Sequence, residues 1–268
     1  MFDLLFDRAP IWVIGPGLFI LLCIVAEAGF RLQQWLDRRS PAREDKGGGA
    51  EHILGVSLGL MSLLLSFTFS IAISRYDTRR ALVLEEANAI GTAYQRADIL
   101  AEPLRTALIG PLRDYTQARI AFYEAGADEA KLADVEHRTN VLQSQMWATT
   151  GQAVRSLPNT DLSASLMDAM NHMFDQAAAR KVALAAHIPI AVLIGLTVLL
   201  LASAVMLGAV LGENSRRHPL LALMLLALLS FTMTLIVDID RPRRHHVLIN
   251  QGPLLDLRAA LLSAPAEP

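Results

Sequence analysis

The chain has 268 residues, 53% of them hydrophobic, a mean hydropathy of +0.37 and a formal net charge of −2. Soluble globular chains are about 45–50% apolar and disperse their apolar residues, whereas here these residues form long blocks. The blocks indicate an integral membrane protein. The small net charge argues against a nucleic-acid partner, and the single cysteine, Cys23, excludes an intrachain disulfide.

The first apolar block covers residues 11–30, with Trp12 near its end as an interfacial anchor. It follows the acidic segment MFDLLFDRAP, which lacks the basic start of a secretory signal peptide, so we expect none. An arginine-rich connector then ends in three glycines at 47–49, a composition typical of a flexible linker. We therefore assign residues 1–52 to a first transmembrane helix and its polar connector.

The second apolar block, residues 53–74, carries no charge and is long enough to cross a bilayer as a helix. A charged run follows it directly, without a glycine or proline at the join. The simplest interpretation is one long helix that leaves the membrane after residue 74 and continues to about residue 100 in a soluble domain.

Residues 75–187 are predicted to form a soluble helical bundle. Pro103 is well placed to open a helix, and Pro111, Gly126 and residues 157–159 mark further breaks. In two segments, apolar or small residues recur in steps of 3 and 4, the pattern of a helix buried along one stripe. These residues are Leu132, Val135, Thr139, Leu142, Met146, Thr149 and Ala153 in the first segment, and Leu162, Leu166, Met170, Phe174 and Ala177 in the second.

Two more apolar blocks, within residues 188–239, are separated by a connector short enough for an antiparallel helix hairpin. In the third transmembrane helix Ala204, Gly208 and Gly212 lie four residues apart, which indicates close helix packing. Residues 240–268 form a charged collar and a C-terminal tail. The predicted fold is an all-α membrane protein with four transmembrane helices and an α-helical bundle inserted between the second and the third.

Four crossings place both termini and the insert on one side of the membrane. More lysines and arginines flank the membrane on that side, which favours the cytoplasm, although the acidic flank of the first helix favours the reverse. We expect the insert and both termini to be cytoplasmic.

The second transmembrane helix carries a narrow stripe of small and hydroxyl residues, with Gly59, Ser62, Ser66 and Ser70 in steps of 3 and 4. Such a stripe allows close packing against another helix. Alternatively, it lines a weakly polar pore when several subunits surround an axis, with Phe67 beside it as an apolar constriction or as a lipid-facing residue.

The charged run contains Arg75, Asp77, Arg79 and Arg80. It is either an anchor to anionic headgroups or a cationic ring that concentrates anions at a pore mouth. The aspartates and arginine that follow the fourth helix leave the membrane on the same side; these residues are Asp238, Asp240 and Arg241. Pairing between Asp240 and Arg80 would make the effects of their alanine substitutions on stability non-additive.

Farther along the same helix, Glu85, Asn88 and Thr92 share one face and predict a polar seam inside the bundle. Glu85, Glu86, Arg96 and Asp98 are expected to form interhelical ion pairs and not a catalytic dyad.

The sequence contains no recognised catalytic or metal-binding pattern. There is no Walker loop, nucleophile elbow, dinucleotide fingerprint or zinc spacing, and adjacent histidines such as His245 and His246 point apart. We therefore expect no enzymatic activity, no cofactor and no metal site.

The segment LSFTFSIAISRYDTRRALVLEEANAIGTAYQRADIL, together with DIDRP and QGPLLDL, resembles the bacterial bestrophin-like domain family. The chain departs from the family in the collar, where Arg243 follows DRP in place of the usual glycine. The resemblance implies kinship with homopentameric anion channels that have four transmembrane helices. We therefore expect an oligomeric, anion channel-like protein of the bacterial inner membrane, whose partners are the lipid bilayer, copies of itself and anions. The alternative is a non-conducting sensor or scaffold whose insert binds a partner or ligand.

Overall fold

The structure is a computed structural model, and it describes residues 10–39, 49–157, 159–213, 219–242 and 248–263. Regular structure in these residues is entirely helical. The helices are α1 (Ile11–Arg39), α2 (Gly49–Asp98), α3 (Leu104–Glu124), α4 (Glu129–Ser156), α5 (Thr160–Ala185), α6 (Ile190–Glu213), α7 (Pro219–Asp240) and α8 (Gly252–Ser263). The chain divides into two compact units, Met1–Ser74 with His187–Arg241 and Arg75–Ala186 with Pro242–Pro268.

Among the described residues, four helical stretches are long and apolar enough to cross a membrane. They are Ile11–Arg39, Gly49–Asp98, Thr160–Gly212 and Pro219–Asp240. Much of their apolar surface faces outward, with Trp12, Val56 and Phe231 each more than half exposed. Outward apolar surface on helices of this length is what contact with lipid requires.

In the first unit, α1 and α6 pack with their backbones in contact. A Cβ atom added at Gly208 would collide with the backbone of Ala26 and Phe30, and one added at Gly29 would collide with the backbone of Val205. Small residues at such a crossing let the dispersion contacts between two helices form at short range. The packing interpretation of the small residues on the third apolar helix is confirmed at Gly208.

Hydroxyl groups join the other helices of this unit. Ser57 Oγ of α2 and Ser203 Oγ of α6 are 3.0 Å apart, and Ser230 Oγ of α7 donates to the Gly15 carbonyl of α1 at 2.9 Å. These bonds tie α2 and α7 to the α1–α6 pair, so all four apolar helices are connected.

In the second unit, α4 and α5 begin directly after residues that cap a helix N-terminus. Asp128 and Asn159 each accept two backbone N–H groups at the start of α4 and α5, and Gly126 has a positive φ of 57° in the turn before α4. Pro103 precedes α3 as expected. The sequence predicts a helix break at Pro111, whereas this residue lies inside α3.

The helix continues through Pro111 because the residues before and after it are firmly packed. Leu108 and Leu112 are both fully buried in the core of the unit, and this burial outweighs the missing N–H of proline. The predicted stripe on α4 is buried from Thr139 to Ala153, except that Thr150 and not Thr149 faces the core.

Candidate functional site

The small-residue stripe lies on the outward side of α2 in the first unit. Gly59, Ser62, Ser66 and Ser70 are all exposed. Apart from its two neighbours in sequence and the nearby backbone of α2 itself, no atom of the described residues comes within 4 Å of a Cβ built at Gly59. Among the described residues, the stripe is therefore not packed against another helix of its unit.

The inward side of the same stretch of α2 is apolar. The buried residues follow one another in steps of 3, 4 and 7, and they are Leu54, Met61, Leu65, Thr68 and Ala72. At 100° per residue, the centre of this face lies roughly 130° from the centre of the stripe. The helix thus presents an apolar face to its own protomer and a small, hydroxyl-rich face to its surroundings.

Phe67 and Phe69 lie on either side of the stripe. Phe67 is 59% exposed, whereas Phe69 is half-buried. The role of Phe67, as an apolar constriction or as a lipid-facing residue, stays a prediction.

The side chains of the charged run after the apolar stretch differ in their exposure to solvent. Asp77 and Arg80 are exposed and Arg75 is half-buried. Arg79, in contrast, is 1% exposed, and it donates from Nε to the Ala183 carbonyl at 3.0 Å and from Nη2 to the Ala186 carbonyl at 2.5 Å.

The carbonyls that receive the Arg79 guanidinium belong to the end of α5, where the last carbonyls of a helix lack intrahelical partners. A cation there also interacts favourably with the negative end of the helix dipole. Neither sequence interpretation of the charged run, headgroup anchor or open cationic ring, describes this buried side chain.

The end of α7 is also buried. Asp238, Asp240 and Arg241 are all less than 9% exposed. Asp240 Oδ2 accepts the Ile188 N–H at 2.9 Å, and the Asp240 carbonyl lies 3.0 Å from His187 Nδ1. Asp240 thus fixes the backbone that leads into α6, while its pairing with Arg80 stays a prediction. Residues Arg243, His245 and His246 of the collar lie outside the described residues.

The second unit contains a buried ionic cluster, which we call the Glu86 cluster: Glu86, Arg119, Arg180 and Gln251. Glu86 is fully buried and accepts hydrogen bonds from Arg119 Nε at one oxygen and Arg180 Nη1 at the other. Arg180 Nη2 donates to Gln251 Oε1 at 2.6 Å. One carboxylate serves two guanidinium groups, so the cluster carries a net positive charge.

The Glu86 cluster joins three helices of the bundle to the segment that leads into α8. The same segment is held by a hydrogen bond from the Ile249 N–H to Tyr123 Oη at 2.8 Å. Nearby, burial raises the pKa of Tyr115 to about 12. The surroundings therefore favour neutral or paired groups and penalise any unpaired charge.

Of the four residues expected to form interhelical ion pairs, Glu86 binds two arginines and Asp98 binds Arg105 at 2.7 Å. Arg96 instead donates to the Ser165 carbonyl, and Glu85 is exposed. The expected polar seam is wrong: Glu85, Asn88 and Thr92 are exposed. The buried carboxylate is one position farther along, at Glu86, which is in register with the apolar residues of the helix.

Comparisons with known proteins agree with this architecture. The family model of the bestrophin-like domain matches residues 21–245. The curated proteins gave no match. Among solved structures, the chain is similar to crystal structures of a bacterial bestrophin homologue from Klebsiella pneumoniae. A tryptophan-to-alanine variant of that protein aligns with a TM-score of 0.69 at 12% identity, over 95% of this chain and 98% of the other.

A tyrosine-to-alanine variant of the same homologue aligns with a TM-score of 0.66 at 14% identity, over 91% of this chain and 96% of the other. At such low identity the similarity is one of fold.

Proposed function

Because this chain belongs to the bestrophin-like family, we propose that it assembles into a closed ring and acts as a channel-like membrane protein that favours anions. The observation that supports the proposal best is the outward position of the stripe on α2. Gly59, Ser62, Ser66 and Ser70 are exposed over about three turns of a helix whose other faces are apolar. In a ring with α2 nearest the axis, these residues would supply a weakly polar lining.

The charges after the apolar stretch support a preference for anions. Arg80 is exposed and Arg75 is half-buried, while Asp77 provides the nearest opposing charge. Repeated around a ring, an excess of cations at an opening raises the local concentration of anions.

The arrangement in the membrane is part of the proposal. Residues 53–74 and the three other apolar stretches would span the bacterial inner membrane, and α3 to α5 would form a helical insert between the second and third spans. The insert and both termini would be cytoplasmic. Green fluorescent protein fused to the C-terminus should fluoresce, and alkaline phosphatase fused there should be inactive; the opposite pattern would reverse the orientation.

Assembly and conduction are tested together with purified protein. Native mass measurement in detergent should give a ring of three or more subunits, since a closed pore needs a rotational axis with room at its centre. Reconstituted liposomes should then show chloride flux. A dimer without flux would overturn the proposal and favour the non-conducting sensor or scaffold.

The role of the stripe is tested by cysteine accessibility in a Cys23→Ser background. A charged, membrane-impermeant thiol reagent should block flux through the Ser62→Cys, Ser66→Cys and Ser70→Cys variants, because the added group would occupy the passage. Ile71→Cys is the matched control: Ile71 is 48% exposed and lies about 100° around the helix from Ser70. Equal effects at Ser70 and Ile71 would contradict a stripe that lines the pore.

A further inference from the structure

A groove in the second unit lies between α3, α4 and α5 and has a volume of about 150 Å³. Its walls are partly aromatic, with Phe122 on α3 and Phe174 on α5, and partly polar, with Asn140 and Gln143 on α4. A cavity of about 150 Å³ is large enough to hold a molecule the size of benzene. The groove thus has the mixed lining of a small-molecule site, and its volume limits the ligand to a single small ring.

Two cations line the groove. Arg119 is 96% buried at the side chain, since its relative exposure is 4%, and it donates from Nε to Glu86. Its Nη2 makes a long contact of 3.4 Å with the Ala177 carbonyl. Among the described residues Nη1 has no hydrogen-bond partner, so this nitrogen retains donors for a ligand.

The second cation, Lys181, is more than half exposed at the side chain and binds Glu136 at 2.8 Å. Arg119 and Lys181 against the single carboxylate of Glu136 give the lining a net charge of +1. Glu86 does not neutralise this excess, because Arg180 shares its carboxylate. The groove is therefore electrostatically suited to one negative charge on its ligand.

The rest of the lining fits a flat apolar group. The Arg119 guanidinium carbon lies 4.7 Å from the centre of the Phe122 ring, so a cation and an aromatic face already meet at one wall. Phe174 contacts Tyr115 and Trp147 edge-to-face, with ring centres 6.5 Å apart in both pairs. These contacts hold the Phe174 ring at the other side of the groove.

We propose that this groove binds a small aromatic carboxylate of the size of benzoate. The carboxylate accepts hydrogen bonds from Arg119 and is attracted by the Lys181 ammonium, and the ring packs against Phe174. This site lies wholly within the second unit and does not depend on conduction, so liposomes without flux would leave the inference intact.

The test measures binding of benzoate to the full-length protein in lipid nanodiscs by saturation-transfer NMR, with neutral benzamide as the isosteric control. Benzoate should bind with a Kd on the order of 1 mM, a normal value for so small a ligand. Benzamide should bind at least tenfold more weakly. Lys181→Gln should weaken benzoate several-fold and leave benzamide unchanged. Equal binding of the two ligands would overturn the inference.

Two neighbouring alanines of α5 provide a matched pair of variants. Ala178 lines the groove, whereas Ala179 does not, and both are exposed. Ala178→Phe should abolish benzoate binding by filling the groove, and Ala179→Phe should leave it unchanged. Asn140→Trp fills the same space from α4. Loss of benzoate binding in both variants could then not be explained by a local change in α5 alone. Unchanged binding in folded Ala178→Phe protein would refute the site.

Discussion

Replacing Glu86 by glutamine should be among the most destabilising single changes in the second unit. Glu86 is fully buried and accepts hydrogen bonds from both Arg119 and Arg180. The amide keeps the size of the side chain but removes the carboxylate that, among the described residues, pairs with both guanidinium groups. Breaking a buried ion pair by removing one partner costs about 3–5 kcal/mol, because the other charge is left in a region of low dielectric.

The assay is chemical unfolding in detergent, followed by circular dichroism at 222 nm. Glu85→Gln is the matched control: Glu85 is adjacent and exposed, so its free energy of unfolding should change by no more than about 0.5 kcal/mol. Combining Glu86→Gln with Arg180→Met should recover part of the loss, since one of the two uncompensated cations is then gone. If Glu86→Gln loses no more stability than Glu85→Gln, or if the double variant is additive, the reasoning is wrong.

Three further outcomes follow from other contacts. Gly208→Ala should destabilise the first unit by about 1–3 kcal/mol, because its Cβ meets the backbone of α1, whereas Gly195→Ala should be neutral; thermal unfolding compares them. Burial raises the pKa of Tyr115 to about 12, so its stabilising contribution is complete below its unfolded-state pKa near 10 and is lost as pH rises to about 12. The loss is about 3 kcal/mol, and unfolding titrations should show it in the wild type but not in Tyr115→Phe. The backbone N–H of Lys131 lowers the pKa of the Asp128 cap, so Asp128→Asn should reduce the helix content less at pH 2 than at pH 7 by circular dichroism.

The helices were predictable because their signals are local. The uncharged block of α2 and its charged continuation lack any glycine or proline at the join, and the structure has one helix, Gly49–Asp98. The caps at Asp128 and Asn159 and the stripe on α4 follow from residue type and period. The continuation of α3 through Pro111 could not be predicted, because it depends on tertiary burial, which local rules do not contain.

The Glu86 cluster was harder to predict from the sequence, although one part of the pattern pointed to it. Val83, Glu86, Ile90 and Ala93 follow one another in steps of 3 and 4, so the carboxylate falls within the apolar face of α2. A charge in register with a buried stripe requires a partner from another element. Its partners, Arg119 and Arg180, lie 33 and 94 residues away in sequence, and no local pattern connects them to Glu86.

The serines of the stripe differ in their hydrogen bonding from other hydroxyl residues of the apolar helices. Thr68, Thr197 and Thr232 each donate to the carbonyl four residues earlier, at 2.8, 2.8 and 2.9 Å, so these hydroxyls are satisfied within their own helices. Among the described residues, no such bond is made by Ser62, Ser66 or Ser70.

A hydroxyl group without an acceptor for its proton is unfavourable in hydrocarbon, because lipid tails offer no acceptor. Water, an anion or a facing hydroxyl from another protomer supplies one. Since Ser62, Ser66 and Ser70 lie on a single line along α2, one continuous polar environment would satisfy all three. A water-filled axis provides that environment over the whole line, whereas a crossing helix contacts only a short part of it unless the two run nearly parallel. The cysteine series at these three serines therefore separates the two arrangements: block at all three positions requires an axis, and block at one position indicates a helix crossing.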